Sequence, residues 1–131
     1  MRKLILAVTA AVVPVMAIAG GADGVWKTQA NDYGAYIEVT IGPCDSDSAK
    51  TCGKISNAFT KQGPDPKYEH MGKLMIKDMK SNNETSYSGG TIWDPQDNKT
   101  YSSKMTLKGE LLDVEGCVTI VCSGQHWTRV K

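Results

Sequence analysis

His70 and His126 are the only imidazoles in the chain, and imidazole is the side chain best suited to moving a proton near neutral pH. Neither stands in a pattern that uses it. His70 follows the breakers Gly63, Pro64, Asp65 and Pro66, and His126 sits beside Trp127. Nothing at i+3 or i+4 completes a zinc motif with either. No serine lies in G-x-S-x-G, so a hydrolase would need one histidine beside a nucleophile in a pocket. Asp94, Asp97 and Asn98 could offer oxygens to calcium. Asp94-Pro95-Gln96-Asp97-Asn98 is first of all a turn, however, whose side chains bond their own backbone. No catalytic residue, metal or cofactor is expected from these groups, and the chain does not read as an enzyme.

The remaining chemistry is that of Cys44, Cys52, Cys117 and Cys122. An even number in an exported chain reads as two disulfides. Three pairings are possible, and the local ones, Cys44 with Cys52 and Cys117 with Cys122, are expected. Each would fix the shape of a short loop. A four-thiolate zinc site is the alternative, but the C-x7-C and C-x4-C spacings lack the C-x2-C knuckle.

Export is read from the first residues. Arg2 and Lys3 precede an apolar stretch from Leu4 to Ile18, which Ala17-Ile18-Ala19 closes as a cleavage site. About fifteen apolar residues are too few for a membrane span. Residues 1–19 are therefore expected to be a signal peptide cleaved after Ala19, leaving 20–131 as one domain, periplasmic or secreted. Removing Arg2 and Lys3 leaves thirteen basic against fourteen acidic residues. Such a balance excludes nucleic-acid binding as a main task.

The elements that would position these groups are strands. Tyr36 to Ile41 alternates, with Ile37, Val39 and Ile41 on one face, and Gly53 to Phe59 resumes the pattern with Ile55 and Phe59 inward. Lys61 to Met71 holds too many breakers for a helix or central strand and is expected to be a long loop. Lys73 to Met79 reads as a strand carrying Leu74, Ile76 and Met79. Gly89-Gly90 inside Tyr87 to Trp93 marks a bulge or sharp bend. Tyr101, Met105 and Leu107 share a face of the next strand, and Leu112 begins the partner of a hairpin. Gln125 to Val130 is the last strand. About eight short antiparallel strands without a helix suit an all-β, up-and-down barrel that removes its own edges.

An eight-stranded barrel can hold side chains or one small ligand. If it holds a ligand, the candidate lining is Ile37 and Val39, Ile55, Leu74 and Ile76, with Tyr101, Met105, Leu107 and Leu112 from the second half. Tyr101 would supply a hydroxyl in an apolar setting and Met105 an adaptable surface. The same residues could make a filled core.

Several motifs carry a resemblance. Gly24-x-Trp26, Cys52-Gly53-Lys54-Ile55, Gly89-Gly90-Thr91-Ile92-Trp93-Asp94-Pro95 and Asn98-Lys99-Thr100-Tyr101 resemble the small exported bacterial proteins called domain of unknown function 2147. So does the ending Gln125-x-Trp127-Thr128-Arg129-Val130. Asn98 stands where that family usually has Gly, and Pro64-Asp65-Pro66-Lys67 where its long loop is often Arg-rich. The resemblance implies a lipocalin-like barrel and no assigned activity. It also implies that Arg129 covers Trp26, both being structural. The leading functional expectation is a non-enzymatic binder of a small apolar or amphipathic molecule. The alternative is a protein-interaction module, an inhibitor or envelope-stress factor using the Cys44–Cys52 and Lys61–Met71 loops.

Overall fold

Apolar residues recur every second position in segments of eight to ten residues, and each such segment must bury one face. The computed structural model describes residues 21–131, so the expected signal peptide lies outside the described residues. Nine strands are present among the described residues: β1 (Gly24–Lys27), β2 (Tyr36–Pro43), β3 (Thr51–Thr60), β4 (Gly63–Pro64), β5 (Leu74–Ser81), β6 (Ser86–Asp94), β7 (Lys99–Lys108), β8 (Leu111–Val118) and β9 (Val121–Arg129). All pairings are antiparallel and run between neighbours. β9 pairs with β1 through Trp26 and Arg129, which closes the sheet. The two-residue β4 pairs only with the end of β3, inside the long loop. The eight others form the expected up-and-down barrel. No helix long and apolar enough to cross a membrane occurs among the described residues.

Both local disulfides are formed, Cys44–Cys52 and Cys117–Cys122. With all four sulfurs so paired, no thiolate remains for zinc. The two bonds sit at opposite ends of the barrel. Cys44–Cys52 lies with the β5–β6 and β7–β8 turns, and Cys117–Cys122 with the β1–β2 loop, the long loop and the β6–β7 turn. The Cys44–Cys52 and Lys61–Met71 loops therefore cannot form a single surface.

One end is sealed. Trp26 is fully buried and donates its indole N–H to the Ala22 carbonyl at 2.8 Å. The Arg129 guanidinium lies 4.4 Å above its ring. That guanidinium also donates to the carbonyls of Asp23 at 3.0 Å and Gly21 at 2.7 Å, and faces Glu110 at 3.6 Å. The hydroxyl of buried Tyr87 accepts the Ala22 N–H. The segment before β1 is thus drawn across the barrel end, and Trp26 and Arg129 are the structural pair the resemblance implies.

Side-chain alternation is interrupted where one strand carries an extra residue. Ser56 is extra against β2, between the pairs Val39–Ile55 and Glu38–Asn57. Ile55 and Ala58, three apart, consequently both face inward, and Phe59 turns away to stack on Tyr36 at 4.8 Å. Phe59 does not share the inward face with Ile55, as plain alternation predicts. Along β5, Met75 falls between the pairs Gly53–Ile76 and Lys54–Leu74. Leu74 is in consequence 38% exposed while Met75 and Ile76 are buried. Leu74 is not an interior residue, and Met75 takes that place. The expected bulge in β6 falls between the pairs Tyr87–Met105 and Gly90–Ser103, with Gly89 at φ 82°.

Candidate functional site

The end opposite Trp26 is open. A cavity of about 1010 Å³ enters there, at the upper limit of ordinary small-molecule sites. Its inner wall is apolar: Ala58, Met75, Val114 and Trp127 are buried, and Ile37 and Ile92 join them. Gly116 also lines it, where a Cβ would come within 3.3 Å of Tyr101 and 3.4 Å of Ile92. Bare backbone here keeps the bore open between β6, β7 and β8.

The candidate lining divides by depth. Ile37 and Tyr101 line the cavity. Val39, Ile55, Ile76, Met105 and Leu112 are all at most 1% exposed and form the packed core beneath it. Leu107 is half-buried near the sealed end, where its side chain approaches Gly21. Leu74 lies outside, beside Lys73, Lys77 and Trp93. Met105 therefore supplies no adaptable surface to a ligand. Tyr101 offers no hydroxyl to an apolar interior either, since it donates at 2.7 Å to Asp97 Oδ2 on the rim. That bond is the main cause raising the phenol above its ordinary value, with burial and the charges of Asp97 and Asp94 adding to it.

The rim comes from connections. Asp94 Oδ1 accepts the Gln96 N–H at 2.8 Å and Asp97 Oδ1 the Lys99 N–H at 2.9 Å. This is the self-bonded turn expected of the sequence. The Trp93 indole N–H donates to Asn98 Oδ1 at 2.9 Å. In the β1–β2 loop, Asn31 Oδ1 accepts from the N–H groups of Tyr33 and Ala35. The long loop is ordered by backbone bonds from Asp65 N–H to Ala58 and from Gly72 N–H to Ile55. Its Tyr68 and Met71 pack on the core. Tyr68 lines the cavity, its phenol raised first by burial and then by Glu69, Asp65 and Asp94. At the β8–β9 hairpin, Val118, Ile120 and Val121 are exposed next to the Cys117–Cys122 bond.

His70 lines the same cavity, edge-on to Tyr68 at 5.3 Å and Trp93 at 5.0 Å, with Lys73 Nζ 3.2 Å from its Nδ1. Its polar contacts are thus Lys73 and, at 3.8 Å, Glu69, and neither is a serine or cysteine nucleophile. His126 is away from the cavity, where it and Lys108 both contact the Asp113 carboxylate. The two histidines share no site.

Depth along the barrel decides which candidates meet solvent, and alternation carries no information about depth. Ala58, Ile92, Val114, Gln125 and Trp127 fall outside the expected lining for that reason. A count of residues from the open end finds them once the strand directions are known.

A family model described as "Uncharacterized protein conserved in bacteria (DUF2147)" matches residues 24–129. The chain matches none of the curated proteins. Among solved structures it is similar to protein HP1028 from the human pathogen Helicobacter pylori, described as belonging to the lipocalin family. The identity is 18%, the TM-score 0.62, and the match covers 83% of this chain and 82% of that one. At this identity the likeness establishes the fold: a lipocalin-like barrel.

Proposed function

Since the chain belongs to the family described as DUF2147 and folds as a lipocalin-like barrel, we propose that it is an exported, non-enzymatic carrier of a small apolar or amphipathic molecule. The observation that carries this reading is the division of the barrel into a sealed, packed half and an open half holding a cavity with an apolar inner wall. Burying a ligand's apolar surface against Met75, Val114 and Trp127 supplies a driving force of about 25 cal/mol per Å². Polar groups at the rim would orient its head. Two disulfides fit an oxidising compartment, periplasmic or extracellular.

Titration with the neutral fluorophore N-phenyl-1-naphthylamine tests the reading. Saturable enhancement at one site per chain, together with quenching of tryptophan emission as the probe meets Trp127, is the expected result. No saturable binding of this probe, and no adduct in native mass spectra of protein isolated from its own compartment, would defeat it.

A further inference from the structure

Resting on that carrier reading, we propose that the cavity selects cationic amphiphiles, molecules with an aliphatic or aryl body and an ammonium head. Three connections far apart in sequence bring Asp32, Asp65, Glu69, Asp94 and Asp97 to the cavity wall, and among the described residues no lysine or arginine lines it. Residues 21–131 carry nearly equal numbers of acidic and basic side chains, so five carboxylates at one opening are a local concentration. Of the nine acids elsewhere, four are matched: Asp45 with Lys54, Glu110 with Arg129, Asp113 with Lys108 and Glu115 with Lys104. Among the described residues, none of the five wall carboxylates forms an ion pair with lysine or arginine. Glu69 reaches only the His70 ring, at 3.8 Å.

The charge acts through the cavity, which supplies what surface acids lack. A concave opening with an apolar inner wall focuses field lines and concentrates ions of opposite sign. Tyr68 and Tyr101 on the wall register that field, since Asp94 helps to raise each phenol. Their rings and that of Trp127 offer negative faces to an ammonium or its attached methylene groups. A ligand with its tail against Met75, Val114 and Trp127 places its head level with the rim. An ammonium there would meet carboxylates, whereas a fatty-acid carboxylate would meet five like charges.

The test is displacement of N-phenyl-1-naphthylamine from the purified protein by dodecyltrimethylammonium, dodecyl sulfate and dodecyl maltoside. All are used below their micellar concentrations, at low salt and at a pH above about 7.5, where an ordinary imidazole is neutral. The cation should displace the probe at about tenfold or more lower concentration than the anion, with the neutral detergent between them. The gap should narrow as salt shortens the screening length. An Asp65→Asn, Glu69→Gln double variant should lose much of the preference, read as the ratio of cation to anion concentrations that displace the probe it binds, since backbone bonds hold that loop. If all three detergents compete equally, or the sulfate competes best, the charge selectivity is wrong and the carrier reading stands. A preference unchanged by salt and by the double variant also overturns it. If the probe itself does not bind, the carrier reading falls and this inference with it.

Discussion

Arg129 joins three parts of the molecule through one side chain: the Trp26 ring, the carbonyls of Gly21 and Asp23, and Glu110 on the β7–β8 turn. Replacing it with alanine removes a cation–π contact of roughly 0.5 to 2 kcal/mol and strands two carbonyls that took charged donors. Arg129→Ala should lower unfolding free energy by about 2 to 4 kcal/mol in urea titration. Arg129→Lys should recover only part, because an ammonium cannot stack flat while reaching both carbonyls. A loss under about 0.5 kcal/mol, the range of ordinary surface changes, would mean that the barrel end is not sealed this way. Asp113 is a second residue with a measurable signature. The hydrogen bond from Lys108 is the main cause holding its carboxyl below the ordinary aspartate value of 3.8, helped by His126 and opposed by burial. A carboxyl depressed by folding stabilises the native state above its unfolded value, and that stability disappears as pH falls through the folded value. Asp113→Asn should therefore be less stable than the parent at neutral pH, and the two should converge below about pH 3.8. Parallel curves that keep their separation into acid would assign the loss to packing instead. Asn98, finally, occupies the left-handed region at φ 55°, which asparagine tolerates better than most residues. Asparagine thus suits the backbone geometry here and adds a side-chain bond to Trp93.

At the level of the strand, extra residues decide which side chains enter the barrel. Gly90 shows how tightly the β6 bulge is packed, since a Cβ there would lie 2.2 Å from the Lys77 carbonyl oxygen and 2.8 Å from the Met79 nitrogen. Both are backbone atoms of β5, so a Gly90→Ala chain must separate two strands or shift their register. A loss of about 3 kcal/mol or more is expected, read as a lower denaturant midpoint, together with faster amide exchange along β5 and β6. Gly89→Ala meets no atom and costs only the strain of φ 82°, about 1 to 2 kcal/mol. If the two variants proved equal, close approach at Gly90 would not be the constraint. The same devices mark what the sequence could show. Strand number, the β6 bulge, both disulfides and the Trp26–Arg129 pair were all legible, because each rests on local spacing or on a motif. Leu74 and Phe59 were misplaced because single extra residues at Met75 and Ser56 invert the facing of their neighbours along the strand. No residue type announces such an insertion, as serine and methionine are ordinary in strands. The wall carboxylates were invisible as a group because only barrel closure brings their three connections together.

Across the whole molecule, stability and the cavity are assigned to opposite halves. Apart from Trp127, which lines the cavity, the fully covered side chains Trp26, Val39, Ile55, Ile76, Met79, Tyr87, Met105 and Leu112 lie beneath it or at the sealed end. Much of the surrounding wall at the open end comes from loops, which are held by backbone and side-chain bonds and, in the long loop, by Tyr68 and Met71 packed on the core. Changes in each half should consequently read out in different measurements. Ala58→Phe places a ring into the cavity from β3, where the parent side chain is 6% exposed and lines the wall. The ring has open space to occupy, so it escapes the usual cost of overpacking. Probe affinity should fall by about tenfold or more, as the ring takes the volume and apolar contact area a ligand needs, with the unfolding free energy within about 1 kcal/mol of the parent. Leu107→Ala is the counterpart at the sealed end, half-buried against the core. It should cost about 1 to 3 kcal/mol of stability and, at temperatures where the protein stays folded, leave probe affinity unchanged. Measured together, the two substitutions distinguish a carrier from a filled barrel with an incidental surface hollow. In the first case affinity follows position 58 and stability follows position 107. In the second, neither variant alters a saturable binding curve, and the depression at the open end is only the space between loops.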